Sequence, residues 1–214
     1  MDISACKGIR LTGSVSLDVD MTDAVNLREG LMVRWEKDFG LRLSLNHLVL
    51  KAAARVMKEH PELVGRIGGE SQGSWTQVDL GVSILLEDRV ITATLAGVDQ
   101  LSLVDIASQV GRFYERAAEG RLVEEELSSA TLIVTNLGKF GVDAATLIAE
   151  TPVVPVLGLG RCAKRAIVTD EELAIRWVMT LNLTFDGASL DGPRAALLLA
   201  HIKDALERPT LLLQ

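Results

Sequence analysis

Two polar stretches that follow apolar strand-like runs hold most of the groups able to do chemistry in this chain. The first is Thr135-Asn136-Leu137-Gly138-Lys139-Phe140-Gly141, where a β-branched hydroxyl closes an apolar run and two glycines permit backbone conformations closed to other residues. The second is Asp186-Gly187-Ala188-Ser189-Leu190-Asp191-Gly192, with a serine between two carboxylates. A carboxylate becomes a general base near neutral pH when burial raises its pKa, and a hydroxyl can donate a hydrogen bond to an oxyanion. Each group also has a plainer reading. Asp191 is placed to fix the turn before a helix by accepting from backbone N–H groups. Thr135 fits as an ordinary strand residue, and Asn136 and Gly138 as shapers of their loop.

The other reactive side chains are few. His47, His60 and His201 each fall within or at the end of an expected helix. Structural roles are expected for His47 and His60, and His201 is left as a candidate for a recruited base. Nothing around Cys162 marks its thiolate as stabilised, so it reads as an ordinary residue. Only one other cysteine, Cys6, is present, and no secretory apolar segment precedes it; neither a disulfide framework nor export is indicated, and a cytoplasmic setting is expected. No metal site is expected. The formal net charge of −7 gives no basic footprint for nucleic acid or an anionic membrane surface. No apolar run reaches the roughly 18 residues a membrane-spanning helix requires. Small molecules and other proteins are the expected partners.

The elements that must position these groups are legible in the hydrophobic pattern. Val15 to Val19 alternates as a strand, and Thr22 or Asp23 stands at the N-cap of a helix running to about Lys37, with Leu27, Leu31 and Trp35 on one face. Ser44 caps a second helix, Leu45 to Glu59, whose broad apolar stripe stops before Pro61. Gln77 to Leu86 and Val90 to Leu95 read as a hairpin turning at Glu87, Asp88 and Arg89. Ser102 opens a helix continuing to Gly120. Thr131 to Thr135, Val153 to Leu159, Ala166 to Thr169 and Arg176 to Phe185 read as strands, and Pro193 to Leu206 as a final amphipathic helix begun by a proline. No repeat or linker divides the pattern, so residues 1–214 are expected to form a single domain.

The segment Leu181-Asn182-Leu183-Thr184-Phe185-Asp186-Gly187-Ala188-Ser189-Leu190-Asp191-Gly192 resembles the signature of the dihydrolipoamide acyltransferase family, the catalytic cores of 2-oxoacid dehydrogenase complexes. That signature is a strand followed by Asp-His-Arg-x-x-Asp-Gly. Thr135 to Gly141, Val156-Leu157-Gly158-Leu159-Gly160-Arg161, the hairpin, and Leu17 to Thr22 with Leu45 to Ala54 run in the family's order, so the resemblance covers nearly the whole chain. It implies an α/β (α+β) chloramphenicol-acetyltransferase-like fold, a mixed sheet flanked by helices. It also implies a homotrimer with active sites between subunits, where coenzyme A and an acceptor enter a channel from opposite ends.

The resemblance further implies a division of roles. The signature histidine is the family's base, the aspartate four residues beyond it is held structurally, and a Ser or Thr hydroxyl at the end of the earlier strand serves the oxyanion. Asp191 and Thr135 stand at the latter two positions, with Asp186 as a further candidate catalytic group and Asn136, Gly138, Gly187 and Ser189 as candidate substrate-binding positions. The base position is Gly187, and the arginine after it is Ala188. Losing general acid–base assistance is worth typically 10²- to 10⁴-fold in rate. A thiol acceptor, a few per cent thiolate at neutral pH, tolerates that loss better than an alcohol, which would need a substitute such as Asp186 or Asp191. The lipoyl and subunit-binding segments of complete family members are not recognisable in the sequence. Two functions are compatible with these observations. One is a CoA-dependent acyltransferase moving an acyl group, acetyl foremost, to a separate small-molecule or carrier thiol or hydroxyl. The alternative is a catalytically inactive trimeric scaffold, or an interface channel given over to a different reaction.

Overall fold

The structure, a computed structural model, describes residues 12–64, 77–86, 89–122, 130–147, 154–169, 171–187 and 189–213. Strand β1 (Thr12–Asp20) leads into α1 (Thr22–Phe39), α2 (Leu45–Glu59) and the single turn α3 (Pro61–Val64). The hairpin β2 (Leu80–Leu85) and β3 (Val90–Leu95) precedes α4 (Leu103–Ala118), β4 (Leu132–Asn136) and β5 (Val156–Leu159). The chain finishes with β6 (Ala163–Thr169), β7 (Glu172–Asp186) and α5 (Gly192–Glu207). Cys6 and the tip of the expected β2–β3 turn at Glu87 and Asp88 lie outside the described residues.

Local sequence accounts for the helix boundaries. Ser44 and His47 form a reciprocal capping box on α2, and Ser102 and Asp105 form another on α4. Asp191 caps α5, its Oδ1 accepting from Arg194 N at 2.9 Å, with Pro193 in the first turn. The expected cap of α1 is displaced: Met21 holds the N-cap position, and Asp20 Oδ1 accepts from Thr22 N at 2.9 Å. Leu27 and Leu31 are only half-buried there, whereas Ala24, Val25 and Trp35 make the buried face.

The seven strands form one mixed sheet in the order β1-β7-β5-β4-β2-β3, with β6 pairing the outer half of β7. Strands β2, β4 and β5 are parallel neighbours and the other pairings are antiparallel. The expected strands Ala166 to Thr169 and Arg176 to Phe185 lengthen into one long ribbon, because β6 begins at Ala163 and β7 at Glu172.

Side chains alternate across a strand, and this alternation gives the sheet two unlike faces. Val82, Val134, Leu157, Leu181 and Leu183 point to the face on which the helices lie, and join residues of α1, α2, α4 and α5 in one core cluster. The opposite face carries Ser14, Ser16, Ser83, Thr92, Thr94, Thr135, Asn182 and Thr184, in register across β1, β7, β5, β4, β2 and β3. No helix among the described residues is long and apolar enough to cross a membrane.

Candidate functional site

Thr135 is the last but one residue of β4, at the carboxyl end of the parallel strands, and its side chain lies on the sheet face opposite the described helices. Its hydroxyl is 2.6 Å from Ser83 Oγ on β2, and both residues are buried, at 8% and 6% exposure. On its other side Thr135 is in register with Gly158, which is in turn paired with Asn182. Asn182 Oδ1 accepts from Ser14 Oγ and from Thr184 Oγ1, each at 3.1 Å. Thr184 Oγ1 accepts from Leu147 N at 3.3 Å, which ties the loop after β4 down onto the sheet.

That loop is packed too closely for side chains at its glycines. A Cβ on Gly138 would stand 2.5 Å from the carbonyl oxygen of Gly160, and one on Gly160 would overlap the carbonyl oxygen of Asp143. Gly141 is left-handed at φ 80°. Asn136 sends its amide nitrogen to Asn46 Oδ1 at 2.6 Å, and its own Oδ1 accepts from Gly138 N at 2.8 Å. The side chain thus joins the end of β4 to the first turn of α2. Arg161 closes the arrangement, binding Asp143 through Nε and Nη2 at 3.0 and 3.3 Å. The Asn-Leu-Gly and Leu-Gly-Leu-Gly-Arg stretches are therefore two halves of one packed corner.

The second polar stretch lies elsewhere on the sheet. Asp186 ends β7 and its carbonyl accepts from both Ser189 N and Leu190 N at 3.0 Å, closing a turn that exposes Gly187. Leu190 plugs into the core and Asp191, exposed, divides its carboxylate between the helix cap and Arg194, whose Nε is 3.6 Å away. From Asn182, level with Thr135, the strand runs four residues to Asp186, two strands over from β4. That offset corresponds to roughly 16 Å. Within one chain, Thr135 is thus brought together with Ser83, and Asp186, Gly187, Ser189 and Asp191 with one another, but the two groups do not meet.

The histidines sit on the helical side. His47 Nδ1 accepts from Ser44 N at 3.2 Å, and burial pushes its pKa down to about 4, so it is neutral with Nε2 carrying the proton. It borders a cavity of about 50 Å³, with Asn46, Tyr114, Val134 and Asn136 among its walls, room for one or two waters. His201 stacks on His60 with ring centroids 4.2 Å apart, where α5 meets the end of α2, and His60 Nδ1 is 3.2 Å from Glu62. The candidate recruited base therefore sits behind the sheet, among helices, away from Thr135. Burial raises the Cys162 thiol pKa, against the opposing pull of Arg28, which leaves it a poor nucleophile. Lys51, buried and with its pKa lowered chiefly by that burial, donates to Leu101 O at 2.7 Å and anchors α2.

A groove of about 600 Å³ runs between the β6–β7 ribbon, β1 and α5. Three ion pairs line it, Arg165 with Asp18, Arg176 with Asp20, and Lys203 with Glu207, and none of the candidate site residues does. Among the described residues, no group of three or more His, Cys, Asp or Glu is arranged to hold a metal ion.

The family described as 2-oxoacid dehydrogenases acyltransferase (catalytic domain) matches residues 11–214. The chain belongs to this family. The acetyltransferase component of the acetoin cleaving system of Bacillus subtilis is 31% identical over 213 residues, which span 100% of this chain and 53% of that protein. This family member spans about half the length of the curated relatives it matches. Dihydrolipoamide acetyltransferase of Azotobacter vinelandii superposes with a TM-score of 0.88 at 24% identity, over 96% of this chain and 85% of that one. That structure was determined to examine a serine, a histidine and an asparagine in the catalytic mechanism of its own enzyme. Chloramphenicol acetyltransferase superposes with a TM-score of 0.52 at 17% identity, over 91% and 88% of the two chains. The fold is accordingly the chloramphenicol-acetyltransferase-like mixed α/β sheet.

Two residues of this family member escaped the sequence reasoning, Ser83 and Asn182. Ser83 is a lone polar residue in Gly-Val-Ser-Ile-Leu, and Asn182 alternates with Thr184 in Leu-Asn-Leu-Thr-Phe. That period-two interruption was the available signal.

Proposed function

We propose that residues 1–214 act as a single catalytic-type domain of a CoA-dependent acyltransferase, moving an acyl group, acetyl foremost, between CoA and a separate small-molecule or carrier acceptor. The observation that carries this reading is the Thr135 hydroxyl, held by Ser83 at the carboxyl end of β4 on the sheet face opposite the described helices of an acyltransferase-family chain. A donor so placed is suited to an oxyanion developing on a thioester carbonyl. With Gly187 at the position the family resemblance gives to the base, a thiol is the favoured acceptor, since it supplies thiolate at neutral pH without help. CoA is a cosubstrate in this scheme, and no metal takes part. The cytoplasm is the compartment that fits so small a number of cysteines.

The site is completed between protomers of a homotrimer. The roughly 16 Å between Thr135 and the Asp186–Asp191 turn within one chain supports this, because the two meet only if a second chain brings its own turn to the first chain's hydroxyl. The exposed ribbon gives further support: Val168 and Leu173 are direct cross-strand partners at 71% and 81% exposure, with Ile175 beside them at 74%.

A scaffold without activity is the second reading, and Gly187 at the base position favours it, because Asp191, occupied by the helix cap and Arg194, is poorly placed to replace the missing base. Incubation with acetyl-CoA and a panel of dithiol and alcohol acceptors, with CoA and acyl product separated by chromatography, decides between them. Transfer to dithiols above the buffer rate, falling about 10²- to 10³-fold in Thr135→Val, is expected for the enzyme. No turnover in the natural protein, and none gained in Gly187→His, leaves the scaffold.

A further inference from the structure

We propose that Ser83 is a positioning residue for acyl transfer, donating its hydroxyl proton to Thr135 so that the Thr135 proton is presented to the substrate oxygen; this rests on the acyltransferase reading above. The sheet face opposite the described helices holds two hydrogen-bonded clusters of different character. Around Asn182 two hydroxyl donors, Ser14 and Thr184, converge on one amide oxygen, so both protons are used. Between Ser83 and Thr135 there are two protons and one shared contact of 2.6 Å, so one proton fills the bond and the other is available to a third group.

Which hydroxyl presents that proton decides where it points. Thr135 lies one residue from the end of β4 beside Gly158, whose missing side chain leaves the neighbouring register position to be bounded by Leu147. Ser83 lies inside β2, between Gly81 and Leu85. Thr135, β-branched, has few rotamers, so an acceptor contact from Ser83 fixes the direction of its O–H. A hydroxyl that accepts one hydrogen bond also becomes a stronger donor in the next, which matters most in a buried, low-dielectric place. The pair acts as a two-hydroxyl oxyanion donor in a chain whose base position is glycine.

An acceptor thiolate, its proton already released to solvent, attacks the carbonyl carbon of the acyl-CoA; a C–S bond forms and the π pair moves onto oxygen. That oxyanion accepts the hydrogen bond from Thr135. The pair then returns, the C–S bond to CoA breaks, and the departing CoA thiolate takes a proton from solvent.

The test combines Ser83→Ala, Ser83→Thr, Thr135→Ala and the Ser83→Ala/Thr135→Ala double variant. Steady-state transfer from acetyl-CoA to a dithiol is read beside the isotope-edited infrared carbonyl stretch of bound [1-¹³C]acetyl-CoA. Ser83→Ala is expected to lower kcat about 3- to 10-fold with KM unchanged and to raise the carbonyl frequency part of the way toward that in Thr135→Ala. Ser83→Thr should restore both, and Ser83→Ala should add nothing when Thr135 is already alanine. An equal loss in both backgrounds, or a carbonyl stretch moved by Thr135→Ala and untouched by Ser83→Ala, overturns the proposal and leaves the acyltransferase reading standing. If acetyl-CoA is neither bound nor turned over by the natural protein, the acyltransferase reading fails and the role of Ser83 fails with it.

Discussion

His47 offers a measurement in which the structure fixes both sign and size. Burial lowers its pKa from 6.5 to about 4, with no charged partner to oppose the effect. Between those values the unfolded chain binds a proton that the folded chain refuses. The stability linked to the neutral ring is therefore fully present above about pH 6.5, and is lost as pH falls toward the folded value, at about 1.4 kcal/mol per pH unit. Going from pH 7.5 to pH 5 removes about 2 kcal/mol, or about 4–8 °C in Tm for a chain of this size. The perturbation is His47→Asn, which keeps an acceptor for Ser44 N in the α2 capping box but has nothing to titrate. Thermal unfolding of both proteins at one concentration, from pH 7.5 to pH 5, isolates the effect, since carboxylate titrations common to both cancel in the difference. The natural protein should lose the additional 4–8 °C. Parallel Tm curves would refute the argument and show that folding leaves the His47 pKa unchanged.

Gly138→Ala should lower Tm by about 2–12 °C, from the 1–3 kcal/mol typical of overpacking, because its Cβ meets the Gly160 carbonyl at 2.5 Å; scanning calorimetry reads this. Asp191→Ala removes the α5 cap and should cost about 1 kcal/mol in urea unfolding, whereas Asp191→Asn, which retains the acceptor, should cost less. Leu173→Glu with Ile175→Glu places charge on the apolar face of the ribbon; sedimentation velocity should show a species about three times the 23.1 kDa chain for the natural protein and a smaller one for the variant. Ion pairs such as Arg34–Asp38 are exposed, so Asp38→Ala should leave Tm within about 1 °C.

The sequence by itself determined the elements and most of their boundaries. Capping residues and apolar periodicity placed α2 at Leu45–Glu59 and β3 at Val90–Leu95, and brought α5 to within a residue at each end, because these signals are local. Thr135, Gly187 and Asp191 were likewise picked out through contiguous motifs. Tertiary structure alone decided strand order, and with it which side chains share a face. Ser83 and Thr135 are 52 residues apart in the chain and Ser14 and Asn182 are 168 apart, and no periodicity within either segment encodes that they touch. The same holds for His201, legible as a helical residue yet stacked on His60 behind the sheet. Helix caps and strand alternation depend on neighbours a few bonds away, whereas the meeting of two hydroxyls depends on how β2, β4 and β5 were ordered when the apolar faces closed over one core.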